Sequence, residues 1–358
     1  MTRAKYIVDL GQYSRNIKKI KDSLNPNTKL LLTLKCNGYG LGAINLAKVA
    51  EHQNVDYFGL ATIEEAEELR KAGIKTNILL LSELYPESIS KIINLNITPT
   101  LFNLPAASFL NKISKEKGII TNFHFKLDTG MGRNGSNPEQ AFSDIQHILN
   151  LPYLNLESIY THMADGSKPY SSYTHNQHRQ FIKFVQKVSL VSGKSHKIHI
   201  ANSDTSLNFP QYQYDMVRIG LHSYKNVMTL ISKVLHIKKM DAGETVGYER
   251  SFSLKMRAHI AVISIGYGDG IPYQLSNKGS VLIRGIEYPI VGKVCMDHIM
   301  VNLGSNSNNI SIGDEVVLIG KQLKQEITLN KVSELSGNIP YSIMTGISKR
   351  VPRQYVNT

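Results

Sequence analysis

Eight short, β-rich apolar runs alternate with stretches whose apolar residues recur at helical spacing, and this alternation constrains the fold more than any other feature. The runs fall at residues 30–35, 57–62, 78–82, 98–103, 122–128, 156–162, 197–203 and 215–221. Between them lie helical patterns such as 42–51, 63–72 and 177–191. The second of these stops at Gly73 and the third at Gly193, as glycine C-caps predict. Eight strand–helix units of this length predict an α/β chain built on a (β/α)8 barrel. The last two strands are joined by only a weak helical segment, 204–208.

After residue 225 the period changes to two. Strands are expected at 228–240, 253–265, 280–284, 288–296 and 314–319, a turn at Asp241-Ala242-Gly243, and one helix at 328–336. This predicts a second, mostly β domain. A chain of 358 residues is long enough for one large domain and a smaller one. The expected division is 1–225 for the barrel and 226–358 for the β domain, with the first few residues free to join the latter. The asparagine-rich stretch 305–309 reads as a loop.

Composition narrows the functional classes. No apolar run approaches the roughly 18–20 residues of a membrane span, and the apolar stretch before Gln12 is too short for a signal peptide. Cys36 and Cys295 are the two cysteines; their wide separation implies neither a disulfide framework nor a metal site, and points to a reducing, cytoplasmic compartment. A net charge of +13 raises the question of a nucleic-acid partner. However, the cations are scattered over expected helix surfaces, as at Lys18, Lys19, Lys21, Lys112, Lys115 and Lys117. No basic block interleaved with aromatics appears, which argues for solvated faces and against nucleic acid or membrane partners.

In a barrel, chemistry gathers at the C-terminal ends of the strands. The first run ends at Lys35, followed by Cys36-Asn37-Gly38-Tyr39-Gly40-Leu41-Gly42. An amine held where an apolar strand meets a glycine-rich turn can bond covalently to a carbonyl carbon, or simply escape to solvent. The fifth run leads through Lys126 and Asp128 to Gly130, Gly132 and Arg133. Lys126 and Asp128 share a strand face by period two, and a simple ion pair is the plain expectation. The sixth run ends at His162, either a proton-relay or stacking imidazole or a structural histidine. The seventh carries His199 and Ser203, and the eighth Arg218, Gly220 and Leu221. Barrel phosphate sites often use the loops after strands seven and eight, so Ser203, Gly220 and Leu221 are candidates for one.

This combination closely resembles the bacterial alanine racemases over nearly the whole chain. The lysine motif at 35–42, residues 126–135, Arg218-Ile219-Gly220, residues 265–270, residues 291–297 and Arg350-Val351-Pro352-Arg353 carry the likeness together. The resemblance implies that Lys35 holds pyridoxal phosphate covalently and acts as one catalytic base, with Tyr248 as the opposing one. It assigns the phosphate to Tyr39, Ser203, Gly220, Leu221 and Tyr341, and the pyridine nitrogen to Arg218, supported by His199. His162 would lie near the ring and hydrogen-bond Tyr248. Arg133 and the Met296 backbone N–H would bind the substrate carboxylate, Lys126 would be carbamylated to orient Arg133, Tyr267 would line the way in, and Asp297 would support the site. A homodimer with shared sites, acting on a small amino acid, is implied as well.

The chemistry is consistent with those roles. Racemisation needs a proton to leave one face of Cα and return on the other, so two bases must flank the carbon. A phenol serves as base only where cations or hydrogen bonds stabilise its anion, and His162 and Arg133 could provide them. The expected activity is interconversion of L- and D-alanine, supplying D-alanine to cell-wall peptidoglycan. Gly38 and Leu41 replace the alanine and histidine usual in the family, and Glu249-Arg250 follows Tyr248 where a glycine is usual. A serine, lysine or broad-specificity racemase therefore stays open. A barrel-fold amino acid decarboxylase is disfavoured by Arg218 and Tyr248, and a non-catalytic carrier of the cofactor by the C-terminal domain.

Overall fold

A computed structural model describes residues 2–82 and 84–357. By its internal contacts the chain divides into two compact units. One comprises Ser14–Gly38 and Ala43–Ser223; the other comprises the stretch up to Tyr13, Tyr39–Gly42 and the stretch from Tyr224 onward.

The first unit is the barrel. Its parallel strands are Lys29–Thr33, Tyr57–Leu60, Asn77–Leu80, Ile97–Leu101, Thr121–Lys126, Leu154–Tyr160, Lys197–His199 and Met216–Ile219. The first pairs with both the second and the last, Leu31 lying opposite Tyr57 and Arg218. Between the seventh and eighth strands the seam is held by Asp215 N–H to Ile198 O at 3.2 Å and Arg218 N–H to Ala201 O at 2.9 Å. Strands such as Tyr57–Leu60 and Met216–Ile219 are buried at every position. Helices cover the outer face of a parallel sheet and side chains fill its inner face, so continuous apolar runs are what such strands require.

Each run foreseen in the sequence contains a strand, but the strands stop two to four residues earlier at their C-terminal ends. There the chain leaves the sheet to form the site. The helices begin on side-chain caps: Thr62 accepts from the Glu65 N–H within a capping box, Asn103 from Ala106, Asn137 from Gln140 and Asn202 from Thr205. The long helix Ser172–Ser192 ends on Gly193 at φ 66°. The weak segment before the last strand is a real helix, Ser203–Asn208.

The second unit is built on the strand Met228–Met240, whose inward positions are buried alternately. It pairs with Ala4–Asp9, Ala258–Ile263 and Glu315–Gln322. Ala4–Asp9 also pairs in parallel with Arg353–Val356, Tyr6 opposite Arg353. Two expectations need correcting here. The stretch 288–296 forms a strand only over Ile286–Pro289, because the chain beyond it, from Gly292 at φ 77°, turns into a loop. The stretch 253–265 is interrupted, with strands at Phe252–Ser253 and Ala258–Ile263. Ile299–Asn302 and the helix Pro340–Gly346 had no sequence signal. Among the described residues no helix is long and apolar enough to cross a membrane.

Candidate active site

Within the barrel unit the site residues cluster around a buried guanidinium. Arg218, on the last strand, is 5% exposed. Its Nη1–H donates to His199 Nδ1 at 2.7 Å and to the His199 carbonyl at 3.1 Å. Its Nη2–H groups face the Thr161 carbonyl at 2.7 Å, His162 Nδ1 at 3.2 Å and the Ile200 carbonyl at 3.3 Å. Every one of these acceptors is neutral. Burial lowers Arg218 to about 10, still charged at neutral pH. The Tyr160 ring stacks on His199, centroids 4.6 Å apart, and also lies 5.0 Å from the guanidinium. Burial, then the Arg218 charge, holds His162 and His199 well below the ordinary imidazole range, so both are neutral.

Lys126 ends the fifth strand and is almost wholly buried. Burial, followed by the charges of Arg133 and Arg218, drives its ammonium down to about 7. The expected ion pair with Asp128 does not form. Lys126 Nζ turns to Asn134 Oδ1. The Asp128 carboxylate instead accepts from the Gly130, Met131 and Arg133 N–H groups at 2.9, 2.8 and 3.2 Å. A short acceptor facing three backbone donors closes the turn that carries Arg133. Lys35 lies two residues past its strand, in a left-handed turn: Cys36 and Asn37 have φ 53° and Gly38 61°. Asn37 Oδ1 accepts from the Ala43 N–H at 2.8 Å, anchoring the next helix. Lys35 has no carboxylate partner among the described residues, and its charge acts on Lys126 and His162.

Near the seventh strand, Ser203 Oγ accepts from the Gly220 N–H at 2.9 Å. Gly220 thus spends its donor on the serine, while the serine keeps its own hydrogen to donate elsewhere. Two of the phosphate candidates, Ser203 and Gly220, are thus brought into direct contact.

The β unit holds the remaining candidates. The Tyr39 ring packs, tilted by 41–46°, against Tyr341 at 5.5 Å and Tyr224 at 4.9 Å between centroids. Gly40, with φ 83°, passes so close to the helix Pro340–Gly346 that a Cβ would lie 2.5 Å from the Met344 carbonyl. Arg353 Nε–H donates to the Gly40 carbonyl at 2.9 Å. Tyr248 opens a short turn after Gly247 and is 70% exposed. Glu249, at φ 57°, pairs with Lys293. The half-exposed Met296 accepts from the Gly268 N–H at 2.9 Å, while the Cys295 carbonyl accepts from Tyr267 N–H at 2.9 Å. Asp297 pairs with Arg350, which also faces the fully buried Asp269 at 3.5 Å. Asp269 pairs with Arg3 and caps the Gly266 N–H at 3.0 Å, fixing the loop that bears Tyr267.

Sequence reasoning missed Tyr160, Asn134, His124 and Glu157. The available signal for His124 and Glu157 was a polar residue in the middle of an apolar strand.

Known proteins are similar to this chain throughout. The family profile described as "Alanine racemase, N-terminal domain" matches residues 8–226, and "Alanine racemase, C-terminal domain" matches 227–355. Alanine racemase 1 of Caldanaerobacter subterraneus subsp. tengcongensis is 36% identical over 97% of this chain and 93% of its own length. The alanine racemase from Bacillus anthracis, solved with bound L-Ala-P, superposes with a TM-score of 0.93 at 29% identity, covering all of this chain and 96% of that one. The alanine racemase from Bartonella henselae, solved with covalently bound pyridoxal phosphate, gives 0.89 at 28% identity, covering 99% and 100%. The chain therefore belongs to the alanine racemase family, whose members are pyridoxal-phosphate-dependent isomerases.

Proposed function

We propose that the protein interconverts L- and D-alanine, with Lys35 and Tyr248 exchanging the α-hydrogen on opposite faces of the substrate. The observation that carries this reading is the environment of Arg218, a buried guanidinium served only by neutral acceptors. The donor set fits pyridoxal phosphate. Lys35, Arg133 and Arg218 all bear electrostatically on Lys126, and the one carboxylate among them, Asp128, is engaged by backbone donors. Such an excess of cations suits a ligand that carries a phosphate and meets a substrate carboxylate.

When bound, the cofactor supplies an electron-withdrawing ring that stabilises charge at the substrate α-carbon. Arg218 keeps its proton and offers only N–H donors, so a heteroatom facing it meets a hydrogen bond and no acid. An electron sink left unprotonated favours return of the hydrogen over side reactions. His162 Nδ1 accepts from Arg218, which leaves Nε2–H to donate, in this reading to the Tyr248 oxygen. Ser203, Gly220, Leu221, Tyr39 and Tyr341 hold the phosphate. Arg133 and the Met296 N–H take the substrate carboxylate; that N–H has no acceptor among the described residues. Tyr267 lines the way in, and Asp297 braces Met296 through Arg350.

The active form is a homodimer, in which Tyr248 and Met296 reach the barrel of the second copy. Their exposure of 70% and 53%, and that of Met256 at 73%, supports this, since large apolar side chains left in water mark association surfaces. The enzyme works in the cytoplasm and supplies D-alanine for the cell wall.

The test is to incubate purified protein and cofactor with single L-amino acids and to separate the enantiomers. Alanine is expected to be racemised fastest. Faster turnover of serine or lysine would overturn the substrate, and absence of exchange with every amino acid would overturn the activity.

A further inference from the structure

Behind Arg218 the hydrogen bonds continue through the barrel interior. An arginine only donates, so His199 Nδ1, at 2.7 Å, must accept and its hydrogen must be on Nε2. That nitrogen lies 3.0 Å from His124 Nδ1. His124 must therefore accept there and carry its own hydrogen on Nε2. The His124 Nε2 is buried and has no hydrogen-bond partner. It points at Glu157 Oε2, 3.8 Å away, a distance that makes the contact electrostatic. The other Glu157 oxygen accepts from the Tyr57 hydroxyl. Both imidazoles are fully buried, and burial holds both below their ordinary range, hence neutral. His124 and Tyr57 pull Glu157 down to about 2, so it is a carboxylate at any working pH.

The two ends of this row agree. A guanidinium at one end and a carboxylate at the other demand the same hydrogen on each ring. We propose that Glu157 is a positioning residue which, through His124 and His199, fixes the direction of the hydrogen bonds that aim Arg218. The proposal rests on Arg218 being the residue that faces the cofactor ring. Glu157 contributes orientation only, since two imidazoles separate it from Arg218. A negative charge at this point favours the Nε2–H form of His124, whose lone pair would otherwise face the carboxylate.

The test combines 15N NMR of histidine-labelled protein, recorded with and without cofactor, with the cofactor dissociation constant. In the parent protein both rings are expected as Nε2–H tautomers. Glu157→Leu removes the acceptor end. His124 should then populate the Nδ1–H form, His199 should lose its partner, and cofactor affinity should fall roughly tenfold, as expected for an Arg218 whose His199 hydrogen bond is misaligned. Glu157→Gln keeps an acceptor oxygen, should keep both tautomers, and remains informative if the leucine variant fails to fold. Unchanged tautomers and unchanged cofactor affinity in a folded Glu157→Leu protein would overturn the proposal, as would a switch of either ring in Glu157→Gln. Altered tautomers with unchanged cofactor affinity would uphold the relay and overturn the placement of Arg218 against the ring.

Discussion

At the scale of single residues, Lys126 shows how burial converts a cation into a reagent. With its ammonium lowered to about 7, roughly half the molecules carry an uncharged amine at neutral pH. Such an amine adds carbon dioxide by forming an N–C bond and releasing a proton, and the resulting anion lies in the field of Arg133 and Arg218. We expect a carbamate resonance in 13C NMR after incubation with labelled bicarbonate, absent from Lys126→Arg. Below about pH 7 the amine takes up its proton and the signal should fade; above it the signal should persist. A spectrum identical for parent and variant would refute the modification. Lys35, Lys126, His162, His199 and Arg218 were legible because the strand-end rule says where to look. Asn134 was not, because its partner is eight residues back across a turn that only the Asp128 contacts define. Glu157 and His124 were hidden for another reason: they face inward from mid-strand, where sequence alone gives no partner.

At the scale of elements, the turn after the first barrel strand holds a tightly constrained backbone. Gly40 needs a positive φ and would drive a side chain into the Met344 carbonyl, a backbone atom with little freedom to yield. Gly40→Ala should lower stability by about 2–4 kcal/mol, combining the left-handed penalty with overpacking. It should also weaken cofactor binding through Tyr39. Urea unfolding with a midpoint equal to that of the parent would contradict this. The barrel strands could be read because burial on both faces leaves a continuous apolar run. The strand Ala4–Asp9 could not, since its partners, Met228–Met240 and Arg353–Val356, lie more than two hundred residues away. A short strand acquires its meaning only from such pairing.

At the scale of the molecule, shared sites make a prediction about mixtures. Lys35→Ala and Tyr248→Phe should each impair racemisation. If each site combines Lys35 of one copy with Tyr248 of the other, a heterodimer of the two variants contains one intact site and one doubly altered one. After equilibration of equal amounts, about a quarter of all sites should regain parental activity. Recovery no greater than the sum of the separate variants would rule out sharing. The β unit, finally, brings the beginning and end of the chain side by side, Ile7 opposite Gln354. During synthesis, the strand Ala4–Asp9 therefore stays unsealed on one edge until residues 353–356 have left the ribosome. The eight barrel strands all lie between residues 29 and 219 and pair only with one another, so their pairing does not depend on that late partner.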